Sequence, residues 1–194
     1  MRLALALCAL PLLGTACAAP DGSGQTRTSA RPTAPVVGEP APAYRIATLA
    51  GDSLVLGPSP TVVLLNVWAT WCTSCKEEFA HMDSLLARHA ADGLRVVAVS
   101  VDVGATTLVR ETLSSYAVSF EAAHDQDGEI ETRFPAFGVP ASYLIDRAGV
   151  LRWRHVGVLP ASVDSVVAAL VREPVESAAA VAIPSPLANG AGGQ

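Results

Sequence analysis

Leu64-Leu65-Asn66-Val67-Trp68-Ala69-Thr70-Trp71-Cys72-Thr73-Ser74-Cys75-Lys76-Glu77-Glu78-Phe79 is the stretch on which the reading of this chain turns. An apolar run ends in an aromatic residue, two cysteines follow three apart, and an amphipathic helix pattern opens at once. That is a strand delivering a dithiol to a helix N-terminus. The first turn of a helix carries backbone N–H groups without intrahelical partners, and the aligned peptide dipoles leave partial positive charge there. A cysteine at that point ionises more readily, and the thiolate is the nucleophilic form. Cys72 is therefore the expected attacking sulfur. Cys75, about one turn further in, is near enough to close a small disulfide ring and is the expected resolving thiol.

Beyond the dithiol, Phe79, Met82, Leu85 and Leu86 recur at helical spacing in a helix expected from Thr73 to about Ala91, where Asp92-Gly93 ends the pattern. Thr61 to Trp68 and Leu94 to Val101 are too apolar to be half exposed, so they read as buried parallel strands joined by a right-handed crossover. A helical pattern follows from Ala105 to Ala117, then a short strand at Phe120 to His124 and a short helix from Gly128 to Phe134. Val139 to Asp146 is a strand entered through Pro140, and Asp146-Arg147-Ala148-Gly149 has turn chemistry. Val150 to Val156 alternates, as an antiparallel partner with one wet face would. Val163, Val166, Val167, Leu170 and Val171 form the stripe of a final helix. Upstream, Tyr44 to Leu49 and Ser53 to Leu56 flank Ala50-Gly51-Asp52 as a hairpin. The order is βαβ followed by ββα. It predicts an α/β fold with a central mixed sheet, helices on both faces and an N-terminal hairpin extension.

The two ends differ in kind from this core. Hydrophobic residues make up 51% of the 194 and charged ones 16%, yet alanine-rich ends supply much of that excess. Leu3 to Leu13 is an uninterrupted apolar stretch, too short to span a bilayer and preceded by Arg2, and it reads as the core of an export signal. Leu13-Gly14-Thr15-Ala16-Cys17 resembles a bacterial lipoprotein signal, with Cys17 as the lipidated residue, although Gly14 stands where a large aliphatic is usual. Ala16-Cys17-Ala18 also fits a small-x-small cleavage site that would release a soluble protein; the lipoprotein ending is preferred. Residues 18–38 and 174–194 are rich in Pro, Ser, Gly and Ala without periodicity. They are expected to be a disordered tether and tail around a folded domain at 39–173, behind a signal peptide at 1–17.

With the signal removed, Cys72 and Cys75 are the only ordinary thiols left. An exported protein stapled by disulfides would show several cysteines at framework spacings. A lone close pair is what a redox enzyme needs. No metal or other cofactor is expected, since His81, His89, His124 and His155 are not at ligand spacing beside the pair. A formal net charge of −5 without a basic patch argues against a nucleic-acid partner.

The segment Leu64 to Phe79, with Gly138-Val139-Pro140 ahead of Tyr143-Leu144-Ile145-Asp146, resembles the thioredoxin superfamily. More narrowly it is similar to the exported TlpA/ResA/DsbE-like thiol-disulfide oxidoreductases, whose domain is of the redoxin or AhpC/TSA type. The resemblance implies a thioredoxin-like fold over residues 39–173. By it Trp71 is the aromatic before the dithiol, Cys72 the exposed nucleophile and Cys75 the buried resolving thiol. Glu78 becomes an acid that tunes the thiols, and Pro140 a cis-proline facing them, with Val139 offering its backbone to an extended substrate. Asn66 takes the position of the buried aspartate of cytoplasmic thioredoxins. Client disulfides such as those of apocytochrome c, a membrane thiol reductase as electron donor, and a lipid-anchored place in the periplasm or cell envelope are likewise implied.

Two departures stand out. Ala80 replaces a helix-kinking proline, which predicts a straighter first helix, and Thr73-Ser74 matches neither common pair between the cysteines, which leaves the redox potential open. From dipole arguments Glu77 and Glu78 are equivalent. Lys76 reads as a solvated helix lysine, Trp68 as core, and Arg152, Trp153, Arg154 and His155 as an exposed sheet face. Two rival functions remain. A peroxiredoxin would place its cysteine in a Pro-x-x-x-Thr-x-x-Cys frame, and Thr70 stands two rather than three before Cys72. A non-catalytic binding module would use the dithiol as a staple.

Overall fold

The computed structural model describes residues 33–174. The expected signal segment with Cys17, residues 18–32 of the tether and residues 175–194 of the tail lie outside the described residues. In chain order a hairpin of β1 (Arg45–Ala47) and β2 (Ser53–Val55) precedes β3 (Val62–Trp68), α1 (Thr73–Glu77), α2 (Phe79–His89), β4 (Leu94–Ser100), α3 (Thr106–Ser115), β5 (Glu121–His124), α4 (Glu129–Arg133), β6 (Ala141–Ile145), β7 (Leu151–Val156) and α5 (Val163–Arg172).

The sheet order is β5-β4-β3-β6-β7. β3 is buried at every position because it lies in the middle, parallel to β4 and antiparallel to β6. A strand covered on both faces needs no polar alternation, which is why its sequence is a run of apolar residues. Two cores result. Val62, Leu64 and Trp68 of β3 pack with Phe79, Met82 and Leu85 of α2, Val109 and Leu113 of α3, and Val163, Val167, Leu170 and Val171 of α5. Val63, Leu65 and Val67 face the other way, toward Leu54 of the hairpin, Ile130 of α4, Phe134 and Tyr143. The crossovers β3-α2-β4 and β4-α3-β5 step in the same direction, so one handedness puts both helices on one face. Each large apolar side chain fully buried this way contributes about 1.5–3 kcal/mol.

Three differences from the sequence expectations matter. The expected single helix from Thr73 is two, interrupted at Glu78. No proline is needed for the break, because the Glu78 side chain is drawn inward by partners on other elements. The alternation of β7 holds, with Arg152, Arg154 and Val156 exposed on one face, but Trp153 and His155 do not belong to that exposed face as expected: they point the other way, half-buried and stacked with ring centroids 5.7 Å apart. Residues 33–38, the last of the expected tether, already meet the domain. Pro35 is buried, and the Gly38 N–H donates to the Leu151 carbonyl at 2.7 Å.

Candidate functional site

β3 ends at Trp68, and the chain reverses through Ala69-Thr70-Trp71 to start α1. The Cys72 N–H closes this turn on the Ala69 carbonyl at 3.1 Å. Cys72 is the N-cap of α1, with φ −86° and ψ 104°, and its Sγ accepts the Cys75 N–H at 3.1 Å. A disulfide joins Cys72 to Cys75, whose Cα atoms are 5.4 Å apart. α1 has only five residues, so the single aimed Cys75 N–H, rather than the dipole of a long helix, is the group placed to stabilise a Cys72 thiolate.

The structure corrects the expectation that Cys72 is exposed. With the disulfide closed, Cys72 is 6% exposed and Cys75 fully buried. Cover comes from the segment ahead of β6, whose Val139 carbonyl lies 3.7 Å from the Cys72 Sγ, and from α1 itself, whose Ser74 hydroxyl lies 3.5 Å away. The Val139–Pro140 peptide is cis, and β6 begins at the next residue. Sequence proximity is absent here. The two segments, 67 residues apart, meet because β6 lies directly beside β3. Trp71 stands on the rim with 70% of its surface exposed.

Glu77 and Glu78, equivalent in the sequence, part company in the fold. Glu77 is exposed, while Glu78 is buried. The Asn66 Nδ2 donates to Glu78 Oε1 at 2.7 Å, and the Leu159 N–H donates to Oε2 at 2.8 Å. Asn66 shares the face of Leu64 and Trp68 on β3, and its Nδ2 also donates to the Ser142 hydroxyl at 2.9 Å, the residue opposite it on β6. Burial raises the Glu78 carboxyl above the ordinary glutamate value. The Leu159 N–H, the Asn66 amide and nearby His81 pull the other way without cancelling that rise.

Lys76 does not extend into solvent as expected: its Nζ donates to the Thr70 carbonyl at 2.9 Å. Thr70 in turn donates its hydroxyl to Asp102 at 2.6 Å. A hydroxyl so engaged is not placed as the activating threonine of a peroxidatic cysteine. Trp68 is fully buried with its ring edge-on to Phe79, centroids 5.1 Å apart.

Sequence reasoning missed Ser142, Leu159, Ser100 and Asp102. For Ser100 and Ser142 a signal existed: each is a polar residue in an otherwise apolar strand, as Asn66 is. For Leu159 there was none, because only its backbone N–H takes part.

Residues 37–154 match the AhpC/TSA family. Over 134 residues the chain is 34% identical to the thiol:disulfide interchange protein DsbE of Escherichia coli (strain K12), covering 64% of this chain and 67% of that one. The thiol-disulfide oxidoreductase ResA of Oceanobacillus iheyensis is 37% identical over 87 residues, 45% of each chain. A crystal structure described as a thiol:disulfide interchange protein DsbE, from Chlorobium tepidum, aligns with a TM-score of 0.66 at 30% identity, covering 71% of this chain and 99% of that one. The chain spans about two thirds of the length of the DsbE relatives. The chain therefore belongs to the AhpC/TSA family, as a thiol-disulfide oxidoreductase of the DsbE/ResA type.

Proposed function

We propose that this oxidoreductase reduces disulfides in client proteins outside the cytoplasm, with Cys72 as the attacking thiol and Cys75 as the resolving one. The observation that carries the reading is the asymmetry of the pair. Cys75 is fully enclosed, while Cys72 keeps the remaining exposure and lies against the Val139 carbonyl, next to Pro140. The Cys72 thiolate attacks a client disulfide, forming a mixed disulfide and releasing one client thiolate, which takes up a proton. Cys75 loses its proton and attacks the Cys72 sulfur, releasing the second client thiol and closing the Cys72–Cys75 bridge. Two electrons pass from the dithiol to the client, and a thiol donor must restore them.

Glu78 is the base that takes the Cys75 proton. A buried thiol is held in its neutral form by desolvation, and a carboxyl with a raised affinity for protons in the same interior matches that task. Trp71, Val139 and Pro140 form the surface that receives an extended client segment, Val139 through its backbone.

The finer assignments rest on the resemblance and on the N-terminal sequence. The clients are cysteine pairs such as the haem site of apocytochrome c, and the donor is a membrane thiol reductase. Residues 1–17 direct export to the periplasm or cell envelope, Cys17 carries a lipid anchor, and residues 39–173 are the working domain. No helix among the described residues is long and apolar enough to cross a membrane.

Trapping tests the reading. Cys75→Ala accumulates a covalent, reductant-sensitive adduct with client protein, and Cys72→Ala does not. Equal trapping by both variants would reverse the assignment of the two thiols. Absence of adduct with either would favour a non-catalytic module.

A further inference from the structure

Between the end of β3 and the start of α1, every polar group of Thr70 is engaged. Its N–H donates to Asp102 Oδ2 at 2.9 Å and to Oδ1 at 3.2 Å. Its hydroxyl donates to Oδ1 at 2.6 Å, and its carbonyl accepts the Lys76 Nζ. Asp102, just past the end of β4, is 7% exposed. Its Oδ2 also accepts the Ser100 hydroxyl at 2.6 Å, and its N–H donates to the Ser100 Oγ at 3.1 Å. The Asp102 carbonyl, which can only accept, takes the His124 Nε2–H at 2.7 Å. Burial by itself would raise this carboxyl, but the bonds from Ser100 and Thr70, with His124 close by, hold it below the usual aspartate range. A buried carboxylate is costly to keep unless its donors are fixed. Two of the three groups that donate to its carboxylate, the N–H and the hydroxyl of Thr70, belong to one residue of the turn that carries the dithiol, and neither the disulfide nor the Glu78 cluster uses it.

We propose that Asp102 is the positioning residue of the redox turn, holding Thr70 so that Cys72 stays against Val139, with its Sγ over the Cys75 N–H, after the disulfide opens. The inference rests on Cys72 being the attacking thiol. In the oxidised protein the S–S bond itself fixes Cys72. Once it is reduced that restraint is gone, and the placement of the thiolate depends on the turn behind it. A bare charge effect would act oppositely: a carboxylate near Cys72 disfavours its thiolate, so removing the charge would make the thiol more reactive.

The test is alkylation of the reduced, full-length chain by iodoacetamide at pH 6, with the labelled cysteine mapped by peptide mass and the unfolding transition of each variant recorded alongside. Thr70→Val removes the hydroxyl donor at constant shape, Thr70→Ser keeps it, and Asp102→Asn removes the charge and half of the acceptor capacity. The clamp requires Thr70→Val and Asp102→Asn to slow labelling of Cys72 by about fivefold, the size of one lost hydrogen bond. Thr70→Ser should stay within about twofold of wild type. Thr70→Val reacting at the wild-type rate while folded, or Asp102→Asn reacting faster than wild type, would overturn it. Label on Cys75 in the wild-type chain would overturn the thiol assignment and the clamp with it, a failure told apart from the first by the mapped site.

Discussion

At Glu78, burial and hydrogen bonding act on one carboxyl in opposite directions, and burial prevails. The sign of the consequence follows from linkage. A carboxyl whose folded pKa exceeds its unfolded one binds more protons in the folded state, so its contribution to stability is full below about pH 4.3 and is lost as pH rises through the raised folded value. Glu78→Gln removes this titration. The stability of wild type relative to Glu78→Gln, from chemical denaturation across that range, should therefore fall as pH rises. A constant difference would show that the carboxyl is solvated and unperturbed. The same substitution should slow release of the mixed disulfide more than its formation, because the base is assigned to Cys75 and not to Cys72. Single-turnover kinetics with a model disulfide would separate the two steps.

The break between α1 and α2 shows how an element is shaped by its surroundings. Residue propensity across Lys76 to Ala80 favours an uninterrupted helix, but the Glu78 side chain is claimed by β3 through Asn66 and by the backbone ahead of α5 at Leu159. Phe79 follows the break, 2% exposed, with edge-on contacts to Trp68, Tyr116 and Phe120 at centroid distances of 5.1, 5.6 and 5.4 Å. That aromatic cluster holds the redox helix against β3 and α3 together. Phe79→Ala should lower the unfolding free energy by about 3–5 kcal/mol, since neighbours drawn from three elements cannot collapse into the space. Urea titration followed by tryptophan fluorescence measures it, and a loss below about 1 kcal/mol would mean that the cluster is not the anchor described.

Across the whole described molecule, the end of the sheet opposite the dithiol is tied by one side chain. Arg147 is 8% exposed and donates only to backbone carbonyls: Nε to Pro60 at 3.0 Å, Nη1 to Leu170 and Glu173 at 3.3 and 2.9 Å, and Nη2 to Asp92 and Val171 at 2.8 and 3.2 Å. It joins the entry to β3, the loop ahead of β4 and the C-terminal end of α5, whose last carbonyls lack helical partners. Lysine has one nitrogen and cannot serve three segments at once. Arg147→Lys should cost about 2–3 kcal/mol through carbonyls left unpaired, with the rate of thiol labelling at Cys72 unchanged. A slowed rate would show that the two ends of the sheet are coupled.

The element order, the buried strands and the dithiol were legible because each is written in contiguous residues: apolar runs, helical spacing, and two cysteines three apart at a strand-to-helix junction. Even Pro140 could be assigned before folding, although only through the resemblance of Gly138 to Asp146 to a known pattern. What the chain alone could not decide is which polar residues meet. Glu77 and Glu78 differ by one position along the chain, and only the packing of α2 on β3 makes one of them solvent-exposed and the other a buried partner of Asn66. Asp102 and Arg147 lie in a loop and a turn without a distinguishing local pattern until strand pairing brings Thr70 to the first and three separate chain segments to the second. Local patterns record which way a residue faces; hydrogen bonds between residues 12 to 87 positions apart depend on a register that exists only once the sheet is assembled.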